Sequence, residues 1–584
     1  MAITKFKEVG YTLSKLLQDI EFGEIGLPEI QRPFVWPNKK VRNLFDSMYK
    51  GFPVGYLLFW ANGVGDGHKQ IGTDTKQKVP RLLIIDGQQR LTSLYAVINR
   101  ISVIRKNYKE EKIRIAFNPL IEQFDVTNAA IRKNPEYIPD ISKVWASDIG
   151  IFKLADSYLE RLRESRDVSQ EEEDRIKFSI NKLDNIEAFP FSVLEIASSA
   201  TEEEVSEIFV RINSAGTSLN QADFILTLMS VFWDEGRTEL EEFCRQTRIP
   251  SEDKPSAYNH FIKPNPDQLI RVDIGFGFKR ARLRNVYNVL RGKDLDTGEF
   301  SDERREQQFN ILRNAQRHVV HLQSWHDFLK CLIQAGYRSK DMITSNIALL
   351  YAYIFYLVGK HNYKVRIPTL RKTIARWYFA TALTSRYTGS FETRMEQDLS
   401  RLRDIHTADE YISYLNKIID ETLTEDYWEI TLPNALNTSS ARTPVLFGYY
   451  AALNLLNAQI LYSPVRIPEL LDPTIKAKKS ALERHHLFPK GYLRKLNITE
   501  KRITNLLSNY ALVEWSDNLE ISDKSPRDYV PEYEARFTSS ELRKMYFWHG
   551  LPNNWYKMEY SDFLIARQSR IAKVIRKGFE KLKR

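Results

Sequence analysis

The stretch from Arg81 to Leu94, RLLIIDGQQRLTSL, constrains the fold more than any other part of the chain. An apolar run of strand length ends in Asp86-Gly87, and a helix-compatible segment, Gln88 to Ile101, follows at once. A strand that turns directly into a helix places Asp86 at the rim of a sheet and Gly87 in a tight turn. The first backbone N–H groups of the helix can then receive an anion. An Asp-Gly pair alone would read as a capped corner. Gln88, Gln89 and Arg90 add three long polar side chains directly behind it, so the expectation is a phosphate-binding corner.

A chain of 584 residues exceeds what one hydrophobic core supports, so several domains are expected. Ahead of the corner the pattern reads as a helix from Thr12 to Glu21, a short strand from Ile25 to Ile30, a proline-stiffened loop from Gln31 to Pro37, a helix capped by Asn38 and running to Lys50, and a strand from Phe52 to Trp60. Arg32, beside Trp36 in the rigid loop, is a candidate second phosphate or base contact, against the plainer reading of a surface salt-bridging arginine. Further strands are expected at Lys112 to Phe117 and Phe189 to Ile196. Thr201-Glu202-Glu203-Glu204 is a capping box opening a helix from Glu202 to Asn213. Arg211 and Asn213 fall near the end of that helix, where they either cap it or face the Asp86 corner.

Loop-forming residues from about Pro250 to Asp302 mark a first boundary, and Glu303 to Glu429 runs almost wholly helical, with amphipathic spacing in Phe309 to Ile333, Met342 to Gly359 and Pro368 to Thr384. The segment Leu432 to Pro444 has linker composition. The expected organisation is therefore three parts, residues 1–250, a helical connecting region at 251–435, and 445–584, in a helix-rich multidomain α+β chain. The last 24 residues hold eight Lys/Arg against two acids, which reads equally as a nucleic-acid contact or a solvated helix face.

Composition narrows the setting. Net charge is +10, compatible with a polyanionic partner without requiring one. Two cysteines, Cys244 and Cys331, make neither a disulfide framework nor a cysteine-rich zinc site, which points to a reducing cytoplasm. No signal-peptide core opens the sequence, and the most apolar window, Ile347 to Gly359, is short and carries three tyrosines, so it reads as a buried helix.

A second chemical centre lies near the C-terminus. His485 and His486 sit before a Leu-Phe-Pro turn, followed by Asn509 before a strand and by Asn518 and Lys524 around a short helix. Phosphodiester hydrolysis needs a base, a divalent cation and cations for the flanking phosphates; His486 can deprotonate water while His485 and Asn518 hold the ion. Oxygen and imidazole donors suit Mg²⁺ or Mn²⁺, with Zn²⁺ or Ni²⁺ as further options. Neighbouring side chains on a strand point to opposite faces, so both histidines can share one ion only if the chain bends there.

Both centres resemble one known family. QRPFVW, IDGQQRLTSL and FVRINSAGTSL are similar to the GmrS-type domain, a ParB-related fold. HHLFP and NYALVEWSDNLEISDKSP are similar to the GmrD-type His-Asn-His (HNH) endonuclease domain, a ββα-metal nuclease. Fused in this order they resemble single-chain GmrSD-type, type IV modification-dependent restriction enzymes; Arg376 to Leu399 is similar to the family's connecting region.

The resemblance implies a ParB-like α/β N-terminal domain that binds and hydrolyses a nucleoside triphosphate, with Asp86, Gly87, Gln88, Gln89 and Arg90 forming the site and Arg32, Arg211 and Asn213 beside it. It implies His486 as general base, His485 and Asn518 at the metal, Asn509 ordering the loop after the histidine strand, and Lys524 in support. One departure stands out: the residue before the base is usually an acid in such nucleases, and here it is His485. The expected function is an antiphage endonuclease that nicks or cuts modified double-stranded DNA under nucleotide control, with homo-oligomerisation open. The alternatives are a non-cleaving DNA or nucleotide sensor with a decayed HNH domain, and a nuclease toxin indifferent to modification.

Overall fold

The computed structural model describes residues 4–26, 34, 36–61, 81–105, 109–146, 150–200, 204–205, 208, 221–251, 253–294, 297, 301–470 and 482–583. The chain divides into two compact units, Met1–Arg237 and Thr238–Arg584.

The first unit is built on a five-stranded mixed sheet, in the order Phe6–Thr12, Pro190–Ile196, Leu57–Ala61, Leu82–Asp86, Ile25–Gly26. The Leu82–Asp86 strand runs antiparallel to Leu57–Ala61 and parallel to Ile25–Gly26. Leu82, Leu83 and Ile84 are buried between helices and sheet, as a near-continuous apolar strand requires. Helices Leu13–Glu21, Asn38–Tyr49 and Gln88–Ile98 bury Leu16, Ile20, Val41, Phe45, Leu91 and Leu94 in one core with it.

Several expectations shift here for local reasons. Phe6–Thr12 is a strand that its sequence, FKEVGYT, does not announce; it lies at a sheet edge and is formed by pairing with Pro190–Ile196. Asn38 does not cap its helix: Pro37 holds the cap position, and the Asn38 amide bonds Arg105 and Glu111. The strand expected from Phe52 begins only at Leu57, because Gly55 is left-handed and the carbonyls of Val54 and Tyr56 accept from Arg90. The helix after Gly87 stops at Ile98 rather than Ile101, with Arg100 left-handed at its end. Of the strand expected at Ile25 to Ile30, Ile25–Gly26 is formed; the rest, and most of the helix expected from Glu202 to Asn213, lie outside the described residues.

The second unit is helix-rich. Asn346–Leu357, the apolar window, is buried on every side from Ala348 onward, as a core helix that does not face water must be. Phe309 to Ile333 forms two helices, Asp302–Val319 and Leu322–Gln334, because the His321 ring accepts from the Ser324 N–H and restarts the chain as a cap. The expected linker around 432–444 lies inside this unit, and the sequence after it packs on the middle helices: Phe579 of the Tyr560–Lys581 helix meets Phe379 and Trp428. That same helix contains the basic C-terminal stretch. Its apolar stripe is buried while Arg576 pairs outward with Glu425. Cys244 and Cys331 are both buried and unpaired. Among the described residues no helix is long and apolar enough to cross a membrane.

Candidate functional site

The Asp86 corner takes its shape from one arginine. Gly87 is left-handed, with φ of 95°, and a Cβ there would come within 2.2 Å of Leu57 Cδ2. Only glycine turns the chain this tightly against the neighbouring strand. Arg90, one turn into the helix, donates from Nη1 to the Val54 carbonyl at 2.7 Å, and from Nη2 to the Tyr56 carbonyl at 2.7 Å and to Asp86 Oδ2 at 3.1 Å. Its guanidinium lies close enough to Gly55 that a side chain there would collide with it, and it would stand 3.3 Å from a Cβ at Gly87. Burial lowers the Arg90 pKa, and the Asp86 carboxylate opposes that shift.

The corner is therefore a clamp: Arg90 ties strand end, helix start and the Val54–Tyr56 loop together. Asp86 lies across from Leu58, beside a bulge between Leu58 and Phe59 that re-aims the strand at this point. The helix begins without a side-chain cap, so its N-terminal turn retains the character of an anion-binding end. Gln88 and Gln89 stand half-buried at its first positions. Arg32, Arg211 and Asn213 lie outside the described residues.

In the second unit, Leu482–His486 pairs antiparallel with Tyr510–Glu514, placing His485 across from Ala511 and His486 across from Tyr510. The ladder runs in regular register through both histidines. Their side chains therefore leave on opposite faces and cannot ligate the same ion.

His485 is 3% exposed. Its Nδ1 lies 2.9 Å from Asn518 Oδ1 on the Trp515–Ile521 helix, and its Nε2 is buried without a hydrogen-bond partner. Burial pushes its pKa down to about 4, so the ring is neutral at pH 7, the form a metal ligand requires. His486, half-buried, lies 3.1 Å through Nε2 from Asn505 Oδ1, which also accepts from the Tyr510 hydroxyl at 3.1 Å. Two donors on one amide oxygen make His486 the Nε2–H tautomer and leave the lone pair on Nδ1. Burial lowers its pKa, Asn505 opposes this, and the charges of Lys490 and Arg484 lower it further. A neutral imidazole with an available nitrogen is the protonation state of a general base.

Asn509 is fully buried. It accepts from the Phe488 N–H at 2.9 Å and donates to the carbonyls of Phe488 at 3.1 Å and Thr504 at 3.0 Å, fixing the turn after the histidine strand. Lys524 is exposed beyond the Trp515–Ile521 helix, and among the described residues its side chain bonds neither histidine. Sequence reading missed Asn505, which lies 19 residues from its partner at no diagnostic spacing. Arg484 and Tyr510 had a signal: one is two residues before His486 and shares its strand face, the other stands across the ladder.

The donor set also bears on a metal. A separation of 2.9 Å between His485 Nδ1 and Asn518 Oδ1 is close to the ~3.0 Å edge of an octahedron with ~2.1 Å metal–ligand bonds. The two atoms that share a proton here thus fit neighbouring corners around a Mg²⁺-sized ion. Among the described residues no cluster of three His, Cys, Asp or Glu could hold a metal.

Comparison with known proteins bears on the first unit. Residues 13–230 match the family model of the GmrSD restriction endonuclease, N-terminal domain, a span that includes four of the sheet's five strands and the Asp86 corner. The match supports a GmrSD-type N-terminal domain in this chain. An uncharacterized protein of Methanocaldococcus jannaschii, MJ0686, is 24% identical over 558 residues, covering 87% of this chain and 84% of its own. That coverage exceeds either unit, so the likeness runs through both.

Proposed function

We propose that this chain is a metal-dependent restriction endonuclease whose cutting centre is the His486 face of the C-terminal hairpin, under the control of a nucleotide bound at the Asp86 corner. The observation that carries the reading is the state of His486: a neutral imidazole, held by Asn505, with Nδ1 open and two cations, Arg484 and Lys490, near enough to lower its pKa. That arrangement is suited to taking a proton from water beside an anionic phosphodiester. Asn505 keeps the ring oriented as the proton arrives, and Asn509 keeps the strand end from moving. His485 and Asn518 would hold a divalent ion, Mg²⁺ or Mn²⁺ by donor type, on the strand face opposite His486.

At the corner, Asp86, Gln88 and Gln89 with the helix N-terminal turn would receive a nucleoside triphosphate. Arg90 acts one step back: with three acceptors already satisfied, it shapes the corner rather than gripping phosphate. Hydrolysis there would license or restrain cleavage according to the modification state of the DNA.

Cleavage of modified and unmodified phage DNA by wild type, His486→Ala and Asp86→Ala tests the reading. Loss of cutting in His486→Ala with DNA binding retained is expected, as is loss of phosphate release in Asp86→Ala. Undiminished cutting by His486→Ala would remove the nuclease assignment. The same assay separates the two alternatives. No cleavage with Mg²⁺, Mn²⁺, Ni²⁺ or Zn²⁺ alongside salt-sensitive binding marks a sensor, and equal cutting of all DNA marks a toxin-like nuclease.

A further inference from the structure

On the hairpin face that carries His486, a cavity of about 230 Å³ opens against the start of the Pro444–Leu455 helix. Tyr449, Tyr450, Tyr510, Arg484, Asn505 and Ser440 are among its walls. It ends at the amide that orients the imidazole, since Asn505 Oδ1 takes both His486 and Tyr510. The His486 and Tyr510 rings lie 4.4 Å apart, and the Arg484 guanidinium lies 5.6 Å from the centroid of the same Tyr510 ring.

Size and lining select the occupant. The volume falls below the ~300–1,000 Å³ of pockets for drug-sized ligands and well above the ~30 Å³ of one water, which suits a single planar ring system. Tyrosine faces offer stacking that tolerates any base, and Arg484, exposed at the rim, is paired with no carboxylate among the described residues. Behind Tyr449 sits a second cation, Arg567. It is wholly buried, donates to the carbonyls of His549 and Ser508, and lies beside the Tyr449 hydroxyl. Two guanidiniums, with no acid among the described residues that line it, give the cavity a positive potential that favours an anionic ligand. Its back wall is fixed in advance, with the Tyr449 hydroxyl donating to the Trp548 carbonyl at 2.8 Å and His549 Nε2 to the Gln459 carbonyl at 3.0 Å.

The geometry points to this cavity as a nucleotide subsite: one base of the DNA strand leaves the stack and enters between the tyrosines, while Arg484 grips its phosphate and sets the adjoining phosphodiester beside His486. The inference rests on reading the hairpin as a nuclease centre and adds to it a substrate preference. Unstacking costs least at a mismatched or single-stranded nucleotide, so the centre accepts unpaired or distorted strands before regular duplex.

The test uses full-length His486→Ala protein, expected to bind without cutting, and oligonucleotides carrying 2-aminopurine at successive positions, single-stranded and in a mismatched duplex. Fluorescence at one position is expected to change by about threefold or more as that base leaves its neighbours. Ala441→Trp, an exposed residue at the cavity wall, should abolish the change in the same background with the melting midpoint intact, and Arg484→Ala should weaken binding by about tenfold. A change at no position, or one that survives Ala441→Trp, overturns the subsite. The two readings fail separately. If otherwise wild-type protein carrying Ala441→Trp cuts as wild type does and no base responds, the subsite is wrong and the nuclease stands. If the base responds but wild-type protein cuts no DNA with any divalent ion, the nuclease reading is wrong and the nucleotide site stands.

Discussion

His485 and His486 are neighbours in sequence, yet their imidazoles bond different asparagines on opposite faces of one strand, Asn518 at 2.9 Å and Asn505 at 3.1 Å. The separation assigns them separable effects. Asn518→Ala is expected to raise the divalent-ion concentration needed for half-maximal cleavage by about tenfold or more, as loss of a ligand or its support does. Asn505→Ala should instead lower the maximal rate at saturating ion. Titrating Mg²⁺ and Mn²⁺ against both variants checks this, and identical responses would remove the distinction.

The pH dependence of cleavage follows from His486. Cutting needs the neutral ring, and burial with the charges of Lys490 and Arg484 holds its pKa below the ordinary 6.5. The acid limb of the rate should therefore be centred below pH 6.5, with a plateau above it. Lys490→Gln removes a charge that disfavours the imidazolium and should move the limb to higher pH. A limb centred above pH 6.5 in wild type would contradict this account.

Stability should fall in acid for a related reason. His485 and His549 are buried with pKa values lowered to about 4 and about 3, against 6.5 for the free side chain. Between those values the unfolded chain binds more protons than the folded one, so ΔG of unfolding rises with pH across the window. Their contribution is fully present above about pH 6.5 and is lost as pH falls toward 4, at up to ~1.4 kcal/mol per pH unit for each ring. Urea unfolding of the full chain from pH 7.5 to pH 5 measures it, and a flat profile would refute it.

Asn509→Ala strands the Phe488 N–H and the carbonyls of Phe488 and Thr504 in a buried turn. Each unsatisfied group costs roughly 1–3 kcal/mol, so a loss of about 3 kcal/mol or more is expected by chemical denaturation. A variant as stable as wild type would show that the turn holds without the amide.

The Arg90 clamp makes a matching prediction for the first unit. Arg90→Lys keeps the charge but cannot reach three acceptors at once, and should cost about 1.5–3 kcal/mol of stability. Gly87→Ala combines a left-handed alanine with overlap on Leu57, for roughly 2–4 kcal/mol. Melting curves measured with nucleotide binding separate the roles: weaker binding by Arg90→Lys at unchanged stability would make Arg90 a nucleotide ligand.

Features that depend on near neighbours were legible in the residues alone. Leu82–Asp86, Gly87 and the helix from Gln88 follow from an apolar run, a residue that tolerates positive φ and helical spacing, all within about fifteen residues. The apolar window Ile347 to Gly359 was legible as a core helix because it is too short to cross a bilayer and carries three tyrosines, and Asn346–Leu357 is that helix. The tertiary structure decided whatever depends on partners distant in sequence. Phe6–Thr12 is a strand because Pro190–Ile196 supplies its hydrogen bonds, and nothing in FKEVGYT encodes that neighbour. Arg90 became a clamp because the Val54–Tyr56 loop, over thirty residues upstream, presents two carbonyls to it. Asn505 reached His486, and Tyr449 and Tyr450 reached Arg484, only when the hairpin closed and the helices packed on it. Local propensity fixes backbone conformation at one place; a site joining several segments exists only after burial and long-range pairing have offset the entropy of bringing them together.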